Sequence, residues 1–329
     1  IGSNCVARLL QRGAQVTVYD NLSRAGAAKN LAWLRHSYGP DSFRLVVGDL
    51  RDAALLTATA RSVDIIIHLA GQVAVTTSVL QPREDYEINA TGTFNVLEAA
   101  RLSGRYPLVL YASTNKVYGG MEDVGVAEGA TRYEYADQPF GMSETYPLDF
   151  HSPYGCSKGA GDQYVRDYAR IYGLPTVVFR QSTIYGPRQF GIEDQGWMAW
   201  FMIAAVLGKP IRIYGNGKQI RDMLFVDDLL DAYEAAIERR ERVAGQVFNI
   251  GGGPGNTISV WAEFGPALEA LLGRPIPVGR GEWRPGDQKV FVADIRKAAR
   301  MLDWQPKTDL ATGMQKLLDW IVENRALFE

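Results

Sequence analysis

Short runs of apolar residues alternate with longer helical patterns along most of the chain, and this alternation restricts the fold more than any other feature. Runs this apolar indicate strands that are buried on both faces. Helices on both faces of a parallel sheet provide that cover, so the sequence predicts an α/β fold with a doubly wound parallel sheet. The predicted strands cover residues 16–19, 43–47, 65–69, 108–111, 176–179 and 247–250. The predicted helices cover residues 5–11, 53–60, 86–102, 153–172 and 226–238.

The alternation loosens after residue 186, which indicates a second, smaller lobe. Residues 187–217 and 254–284 are rich in Gly, Pro and Trp, and a helix is predicted over residues 310–328. Because residues 226–250 return to the α/β pattern, the lobe is expected to combine separated segments. The predicted domains are a Rossmann-type, NAD-binding domain over residues 1–185 and 222–252, and a smaller nucleotide-sugar-binding lobe over residues 186–221 and 253–329.

The charge balance and the rare residue types exclude several classes of protein. With 35 Lys and Arg against 37 Asp and Glu, the net charge of −2 gives no general attraction to nucleic acid or to an anionic membrane. The longest apolar run, residues 197–207, is too short to span a bilayer and predicts a buried helix. The two cysteines, Cys5 and Cys156, form no metal-binding motif and suit a reducing compartment. We therefore expect a cytoplasmic protein without a metal site.

The first elements follow the order of a βαβ nucleotide-binding unit. An amphipathic helix over residues 5–11 precedes a strand that ends in Asp20. In such a unit a Gly-rich turn joins the first strand to the helix, so Gly2 is interpreted as the last glycine of that turn. We expect the first strand and the start of the turn, roughly a dozen residues, to precede Ile1.

Asp20 is the candidate ligand of a dinucleotide ribose. An acid at the end of this strand accepts hydrogen bonds from ribose hydroxyls and repels a 2′-phosphate, which favours NAD over NADP. Arg24 lies nearby and could pair with such a phosphate, so this feature alone leaves the cofactor preference open. The alternative interpretation is an ordinary aspartate that caps a turn at the end of a strand.

Tyr154 and Lys158 form a candidate catalytic pair. Ser152 can cap a helix that Pro153 begins, and Tyr154 and Lys158 then lie one turn apart on one face of that helix. An ammonium about 4 Å from the phenol is worth roughly 4 kcal/mol, or about three pKa units, although burial of the phenol opposes it. The pair could therefore supply a phenolate that accepts a proton from an alcohol. A surface Tyr–Lys pair is the alternative.

Two further groups of residues suit a substrate site. The strand over residues 108–111 leads into Ser113 and Thr114, whose hydroxyls could bond a substrate alcohol beside Tyr154 or could simply form a local turn. Arg221 and Arg284 each belong to a short loop that also holds an aspartate. Such loops could clamp a diphosphate, or they could form ordinary surface salt bridges.

Together these features resemble the short-chain dehydrogenase/reductase family, in its extended branch of NAD-dependent epimerases and dehydratases that act on nucleotide sugars. The resemblance covers essentially the whole chain. The segments that carry it are YDNLS (19–23), GDL (48–50), HLAGQ (68–72), NATGTFNVLE (89–98), VYG (117–119), IYGPR (184–188) and RDMLFVDD (221–228).

Other segments are similar to those of the group within this branch that inverts C2 of a CDP-linked dideoxyhexose. They are AGQVAVTTS (70–78), STNKVYG (113–119), DFHSPYGCSK (149–158), DQGW (194–197) and residues 284–295. This resemblance implies hydride removal and return at C2 by a tightly bound NAD. The residues themselves leave open a UDP- or GDP-sugar 4-epimerase, a reductase that consumes NAD(P)H, and a nucleotide-sugar-binding or NAD-sensing protein without turnover.

The resemblance also implies a role for each matching residue. Tyr154 is the general base and acid, Lys158 lowers the pKa of Tyr154 and holds the nicotinamide ribose, and Thr114 bonds the reacting hydroxyl. The implied cofactor-binding residues are Gly2, Asp20, Asn21, Ser23, Arg24, Asp49, Leu50, Leu69, Ala70, Gln72, Asn89, Tyr154 and Lys158. The implied substrate-binding residues are Thr114, Asn115, Gln181, Thr183, Gln195, Trp197, Arg221, Arg284 and Asp287.

The chain departs from the branch at two places. Thr183 stands where relatives often carry an Asn that touches the substrate, and this puts the role of that position in doubt. Asn115 and Lys116 replace the Asp-Glu pair that dehydratases use to eliminate water, and Lys116 also replaces the Glu of the decarboxylating relatives. Both activities are therefore disfavoured. Relatives often pair through helices 86–102 and 153–172, which implies a homodimer or homotetramer.

Overall fold

The computed structural model describes residues 1–284 and 287–329. Its strands are β1 Thr17–Asp20, β2 Arg44–Val47, β3 Ile65–His68, β4 Leu108–Thr114, β5 Val126–Glu128, β6 Tyr133–Tyr135, β7 Thr176–Gln181, β8 Thr183–Tyr185, β9 Ile211–Tyr214, β10 Ile220–Phe225, β11 Gln246–Ile250, β12 Thr257–Ser259, β13 Val278–Gly281 and β14 Val290–Phe291. Its α-helices are α1 Gly2–Gln11, α2 Ala27–Tyr38, α3 Ala53–Ala60, α4 Val75–Leu80, α5 Pro82–Tyr86, α6 Gly92–Leu102, α7 Ser152–Tyr172, α8 Trp197–Leu207, α9 Val226–Glu238, α10 Arg240–Val243, α11 Phe264–Leu272, α12 Arg296–Leu302 and α13 Leu310–Glu323.

A parallel sheet in the order β11–β7–β4–β3 forms the centre, and β1 and β2 form a separate parallel pair. Alternate residues of β4 face opposite layers of helices. Leu108 and Leu110 pack into a cluster with α9 and α12, whereas Val109 and Tyr111 pack into a cluster with α6 and α7. Both faces of the sheet are thus covered, as the apolar runs predict, and the doubly wound α/β fold is confirmed.

Segments of the predicted smaller lobe pack around α8, whose residues are mostly buried among α11, α13 and β9. The prediction of a buried helix over residues 197–207 is therefore confirmed. Strand β10 runs across the predicted domain boundary between residues 221 and 222, and it joins β8 to β12 and β14. Across residues 1–284 and 287–329, no helix combines the length and the apolar character that crossing a bilayer requires.

Three predicted helices differ from the structure. The helix predicted over residues 86–102 is divided by a π-helical turn, Glu87–Thr91, between α5 and α6. The helix predicted over residues 310–328 ends at Glu323, because the Asn324 side chain donates a hydrogen bond to the Trp320 carbonyl (2.8 Å); a separate 3-10 turn, Arg325–Leu327, follows. The first helix begins at Gly2 instead of residue 5.

A buried ion pair ties the central strands to α7. Arg180 on β7 forms two hydrogen bonds with Asp162 on α7, each 2.9 Å long, and both side chains are almost fully shielded from solvent. Ser113 on β4 donates to the same carboxylate (2.8 Å), and Arg180 also donates to the Tyr118 hydroxyl (3.1 Å). A buried charge is tolerated only when its hydrogen bonds are satisfied, and this pair meets that condition.

Replacing Asp162 with Asn tests this interaction. The change leaves the Arg180 guanidinium buried without a counter-charge, so the free energy of unfolding should fall by roughly 3–5 kcal/mol. Urea unfolding followed by circular dichroism measures the change. The matched control is Asp41→Asn at an exposed position, which should alter stability by less than about 0.5 kcal/mol. Equal stability of the two variants would contradict the importance of the pair.

Candidate active site

The predicted site residues gather where parallel strands end. Asp20 ends β1, Asp49 follows β2, Ala70 follows β3 and Thr114 ends β4. Strands β1 and β2 are parallel to each other, and so are β3 and β4, so within each pair the carboxyl ends lie at the same edge. Ligands of open α/β sheets bind at this edge. Both pairs contact one shared apolar cluster, so their ends could together hold a cofactor and a substrate.

The ends of β1 and β2 form the predicted adenosine corner. Asp20 accepts a hydrogen bond from the Leu22 amide (2.7 Å), and Asn21 donates to Asp49 (3.0 Å). Hydrogen bonds from Arg51 hold the pKa of Asp49 well below its usual range, so this carboxyl is ionised. One carboxylate oxygen of Asp20 thus stabilises a turn, as the alternative interpretation of this residue supposes, and the other has no hydrogen bond within the described residues.

The segment that follows Asn21 contacts residues of the predicted smaller lobe. The Ser23 hydroxyl donates to the Asn21 side chain (2.7 Å), and the Arg24 guanidinium donates to the Gln195 side chain. Gly26 packs so closely on Phe190 that a Cβ would lie 2.3 Å from the ring. Arg24 and Gln195 were expected to bind different ligands, and the structure instead brings them together.

Tyr154 and Lys158 lie near the start of α7, beside Thr114. The helix begins at Ser152, one residue earlier than predicted, so His151 and not Ser152 is its cap residue, and Ser152 Oγ accepts a hydrogen bond from the Gly155 amide (3.2 Å). Both catalytic candidates are buried, and the Lys158 ammonium lies 4.3 Å from the centre of the Tyr111 ring. The Thr114 hydroxyl, at the end of β4, lies close enough to the phenol to affect its pKa. The predicted trio of Thr114, Tyr154 and Lys158 thus lies together.

Burial shifts the pKa values of both Tyr154 and Lys158. It raises the pKa of Tyr154 to about 12; the Thr114 hydroxyl opposes this shift, and the charge of Asp85 adds to it. Burial lowers the pKa of Lys158 to about 7, against the attraction of Asp162 and Asp85. Desolvation thus favours the neutral form of each group, and the lowering of the Tyr154 pKa by Lys158 stays a prediction.

A network of buried polar groups lies beneath the trio. Asn89 accepts a hydrogen bond from the Gln72 amide (2.9 Å) and donates to the Gln72 carbonyl (3.0 Å). Asp85 accepts from Gln72 Nε2 (2.9 Å) and from Ser157 Oγ (2.5 Å). Asn89 sits in the π-helical turn that the sequence did not predict, and such turns are frequent at functional sites.

The residues present fit a dinucleotide. Gly71 leaves a shallow space between Asn89 and Lys158, because a Cβ there would lie 2.8 Å from Asn89 Oδ1 and 4.0 Å from Lys158 Nζ. Ala70 and Leu69 follow β3 on the path between the Asp20 corner and this space. A Cβ on Gly2, at the start of α1, would lie 3.8 Å from the Leu69 side chain. The start of this helix is therefore close to the same path.

The two predicted arginines are each held by an aspartate. Arg221 donates to Asp287 (2.7 Å), and Arg284 pairs with Asp194 (3.0 Å) while it lies over the Tyr214 ring. The sequence placed Arg221 in a loop, whereas the structure places it on strand β10, and its aspartate partner comes from the segment after Arg284. Asp222, its neighbour in sequence, is fully buried and accepts hydrogen bonds from the Gly253 and Ala293 amides.

The other residues predicted to bind the substrate have different surroundings. Asn115 donates to Gln288 (3.1 Å) next to Thr114, and the Trp197 indole nitrogen is buried without a hydrogen-bond partner among the described residues. Gln181 is paired with Thr114 in strand register, but its amide donates into the interior, to the Tyr233 hydroxyl (2.5 Å). Thr183 lies on β8 beside β10.

Several residues of the site were missed by the sequence analysis. They are buried polar groups whose partners are remote in sequence, so spacing carries no signal for them. The missed residues with the most contacts at the site are Asp85, Asp162, Gln219 and Gln288. Lys116 was considered only as a replacement for a carboxylate, yet it is half-buried and donates to Gln288 (3.3 Å).

The chain is similar to proteins of one enzyme family. The model of the NAD dependent epimerase/dehydratase family matches residues 1–251. CDP-paratose 2-epimerase of Salmonella typhi is 46% identical over 327 residues, which are 97% of this chain and 96% of that protein. UDP-glucose 4-epimerase of Mycolicibacterium smegmatis is 33% identical, over 97% of this chain and 95% of the relative.

Solved structures give the same result. The UDP-glucose 4-epimerase of Thermotoga maritima, with UDP-glucose, has a TM-score of 0.83 and 28% identity, and the match covers 98% of this chain and 96% of that one. The dTDP-glucose 4,6-dehydratase of Streptomyces venezuelae, with NAD bound, has a TM-score of 0.84 and 30% identity, over 100% of this chain and 95% of that one.

His68, at the end of β3, provides a pH test of the site's burial. Burial, followed by the charge of Lys158, lowers the pKa of His68 to about 3, so the folded protein keeps this ring neutral. An unfolded chain protonates the ring below its ordinary value of about 6.5. Stability is therefore retained above pH 6.5 and is lost as the pH falls towards 3, by roughly 2 kcal/mol at pH 5.

We expect His68→Gln to remove this part of the pH dependence. Chemical denaturation at pH 7 and pH 5 measures it, and the difference between the two pH values should shrink relative to the unchanged protein. The exposed His36, replaced in the same way, is the control and should leave the difference as it was. An unaltered difference in His68→Gln would show that His68 is not buried as a neutral ring.

Proposed function

Because the chain belongs to the NAD-dependent epimerase/dehydratase family, we propose that it inverts C2 of a CDP-linked 3,6-dideoxyhexose and so converts CDP-paratose to CDP-tyvelose. The observation that carries this proposal is the 46% identity to CDP-paratose 2-epimerase over nearly the full length of both chains. The assembled trio of Thr114, Tyr154 and Lys158 supports the same class of chemistry.

In this proposal Tyr154 moves the proton. The phenolate takes the proton of the C2 hydroxyl while the C2 hydride leaves, and Thr114 holds the oxygen that becomes the carbonyl. The 2-keto sugar then turns its other face to the cofactor, the hydride returns to C2, and Tyr154 gives the proton back. Bound NAD supplies the hydride acceptor and donor, and its positive nicotinamide ring favours the Tyr154 phenolate.

Lys158 holds the ribose and balances the charge of Tyr154. With a pKa of about 7 it titrates near neutral pH, so its ammonium is readily favoured when a phenolate forms beside it. Asp85 and Asp162 both stabilise the charged form of Lys158. We assign the dinucleotide to the strand-end surface formed by Asp20, Asn21, Asp49, Leu50, Leu69, Ala70, Gln72 and Asn89.

The turn after Thr114 supports an epimerase instead of a dehydratase. Asn115 and Lys116 occupy the positions directly after the strand-end threonine, and neither is a carboxylate. Elimination of water needs an acid and a base that can exchange protons with the sugar. Without that pair the keto sugar keeps its hydroxyls, and return of the hydride is the remaining outcome.

We further propose that the two predicted domains bind different molecules. Residues 1–185 and 222–252 would bind NAD, and residues 186–221 and 253–329 would bind the nucleotide sugar through Arg221 and Arg284. We place the enzyme in the cytoplasm, since its two cysteines are both unpaired, Cys156 at the surface and Cys5 in the interior.

Proton NMR in D₂O with CDP-paratose and no added NAD tests the reaction. We expect the coupling between H1 and H2 to change to that of the 2-epimer while protium is kept at C2, because the same hydride returns. Deuterium at C2 would contradict a hydride shuttle. If CDP-paratose is unchanged and a UDP- or GDP-hexose is inverted at C4, the enzyme is a 4-epimerase, which the 33% identity to UDP-glucose 4-epimerase makes the second candidate.

Tyr154→Phe should lower kcat by roughly 10²–10⁴-fold, since it removes the group that transfers the proton. The matched control is Tyr106→Phe, because Tyr106 lies exposed before the start of β4. The rate of epimer formation by NMR measures both variants. Equal rates in Tyr154→Phe and Tyr106→Phe would exclude Tyr154 as the base.

We propose that a second copy of the chain covers the outer face of α6 and α7. Large apolar side chains lie exposed there, including Ile171 with 66% of its surface accessible, and Phe94 packs against Tyr164 with ring centres 5.6 Å apart. A continuous apolar face across two neighbouring helices is typical of an interface. Its further exposed members are Leu102 and Tyr172.

Ile171→Glu should convert the dimer into a monomer, because it buries a carboxylate in the interface. Analytical ultracentrifugation measures the mass. Val322→Glu is the matched control, since Val322 is similarly exposed but lies on α13. A wild-type protein that sediments as a monomer would contradict the proposed interface.

A further inference from the structure

Gln288 is a buried amide that fastens two parts of the site together. Its Oε1 accepts hydrogen bonds from Asn115 Nδ2 (3.1 Å) and Lys116 Nζ (3.3 Å). Its Nε2 donates to the Gly119 carbonyl (2.6 Å). Only 2% of its surface is accessible. The side chain therefore joins the 3-10 turn after β4, Asn115–Tyr118, to the segment that carries Asp287.

On one side, the segment that carries Asp287 contacts Arg221, the residue predicted to bind the diphosphate. Asp287 accepts a hydrogen bond from Arg221 Nη2 (2.7 Å) and another from Gln219 Nε2 (3.2 Å). Gln219 is buried, and its Oε1 has no hydrogen-bond partner within the described residues. A phosphate that binds Arg221 competes with Asp287, so it changes the contacts of the residue next to Gln288.

On the other side, the turn reaches the catalytic hydroxyl. The Lys116 amide donates to Thr114 Oγ1 (3.2 Å), and the Thr114 hydroxyl lies close enough to Tyr154 to affect the pKa of the phenol. The Lys116 ammonium is half-buried near Arg221 and Asp287, which repel and attract it respectively. Burial and Arg221 lower its pKa to about 8, so its charge depends on how Arg221 is neutralised.

We propose that Gln288 and Lys116 are positioning residues that transmit binding of the substrate's diphosphate at Arg221 to the hydroxyl of Thr114. The inference rests on the proposed function, because it takes Arg221 as the ligand of the diphosphate. Each step is a contact between neighbours: Arg221 to Asp287, Gln288 to the turn, and the turn to Thr114. Full catalytic alignment then requires the diphosphate as well as the sugar.

Hydrogen exchange of the backbone amides in residues 113–119 tests the link without turnover. The protein is measured with and without cytidine diphosphate, which carries the nucleoside and the diphosphate but lacks the dideoxyhexose that is the reacting sugar. We expect the nucleotide to slow exchange there at least about threefold. Gln288→Leu should abolish this slowing while calorimetry shows CDP affinity within about threefold of the unchanged protein. Gln305→Leu, at an exposed position, should keep the slowing.

Gln288→Glu separates positioning from simple packing. The carboxylate keeps the acceptor for Asn115 and Lys116 but cannot donate to the Gly119 carbonyl. We expect it to retain most of the slowed exchange. Gln288→Leu and Lys116→Met should instead lower kcat at least about tenfold with nearly unchanged KM. The control for the lysine change is Lys209→Met, since Lys209 is exposed.

Three results would overturn the proposal: no slowing in the unchanged protein, undiminished slowing in Gln288→Leu, or equal impairment of Gln288→Glu and Gln288→Leu. The last would assign Gln288 to holding Gly119. Failure of the proposed substrate is seen separately. A protein that binds CDP and shows the slowing but leaves CDP-paratose unchanged would refute C2 epimerisation and still support the positioning role.

Discussion

The buried ion pair between Arg180 and Asp162 sets the geometry on which the rest of the site depends. Asp162 lies one helical turn after Lys158. Ser113, which bonds the same carboxylate, directly precedes Thr114. A shift in the register of β4 against α7 would break these hydrogen bonds and leave a charge buried. The hydroxyl of Thr114 is thereby held in a fixed position relative to Lys158.

The fold could be predicted from the sequence because burial leaves a repeated pattern. Apolar runs such as residues 108–111 are required on every strand of a sheet that is covered on both faces, and the structure confirms them. The trio at the end of β4 was also predictable, because Tyr154 and Lys158 are one helical turn apart and Thr114 ends a strand. Here a local rule places the residues in space.

The rest of the site depends on contacts between remote segments. Gln288 meets Asn115 and Lys116 although more than 170 residues separate them, and Arg221 on β10 takes its partner Asp287 from a remote segment. No spacing rule predicts such pairs. The size of the burial effect was also missed, because desolvation depends on the three-dimensional surroundings, and it is the largest influence on the pKa of Tyr154.

The paired arginines have a consequence for which anions can enter. Asp287 and Asp194 already occupy Arg221 and Arg284, so an incoming anion exchanges one ion pair for another. A small monovalent anion such as chloride gains little from that exchange. A diphosphate carries more charge and more oxygens, and it can engage each guanidinium through two hydrogen bonds. If Arg221 and Arg284 bind the diphosphate as proposed, the two aspartates act as a filter against the common anions of the cell, and they keep the arginines selective without making the site strongly positive.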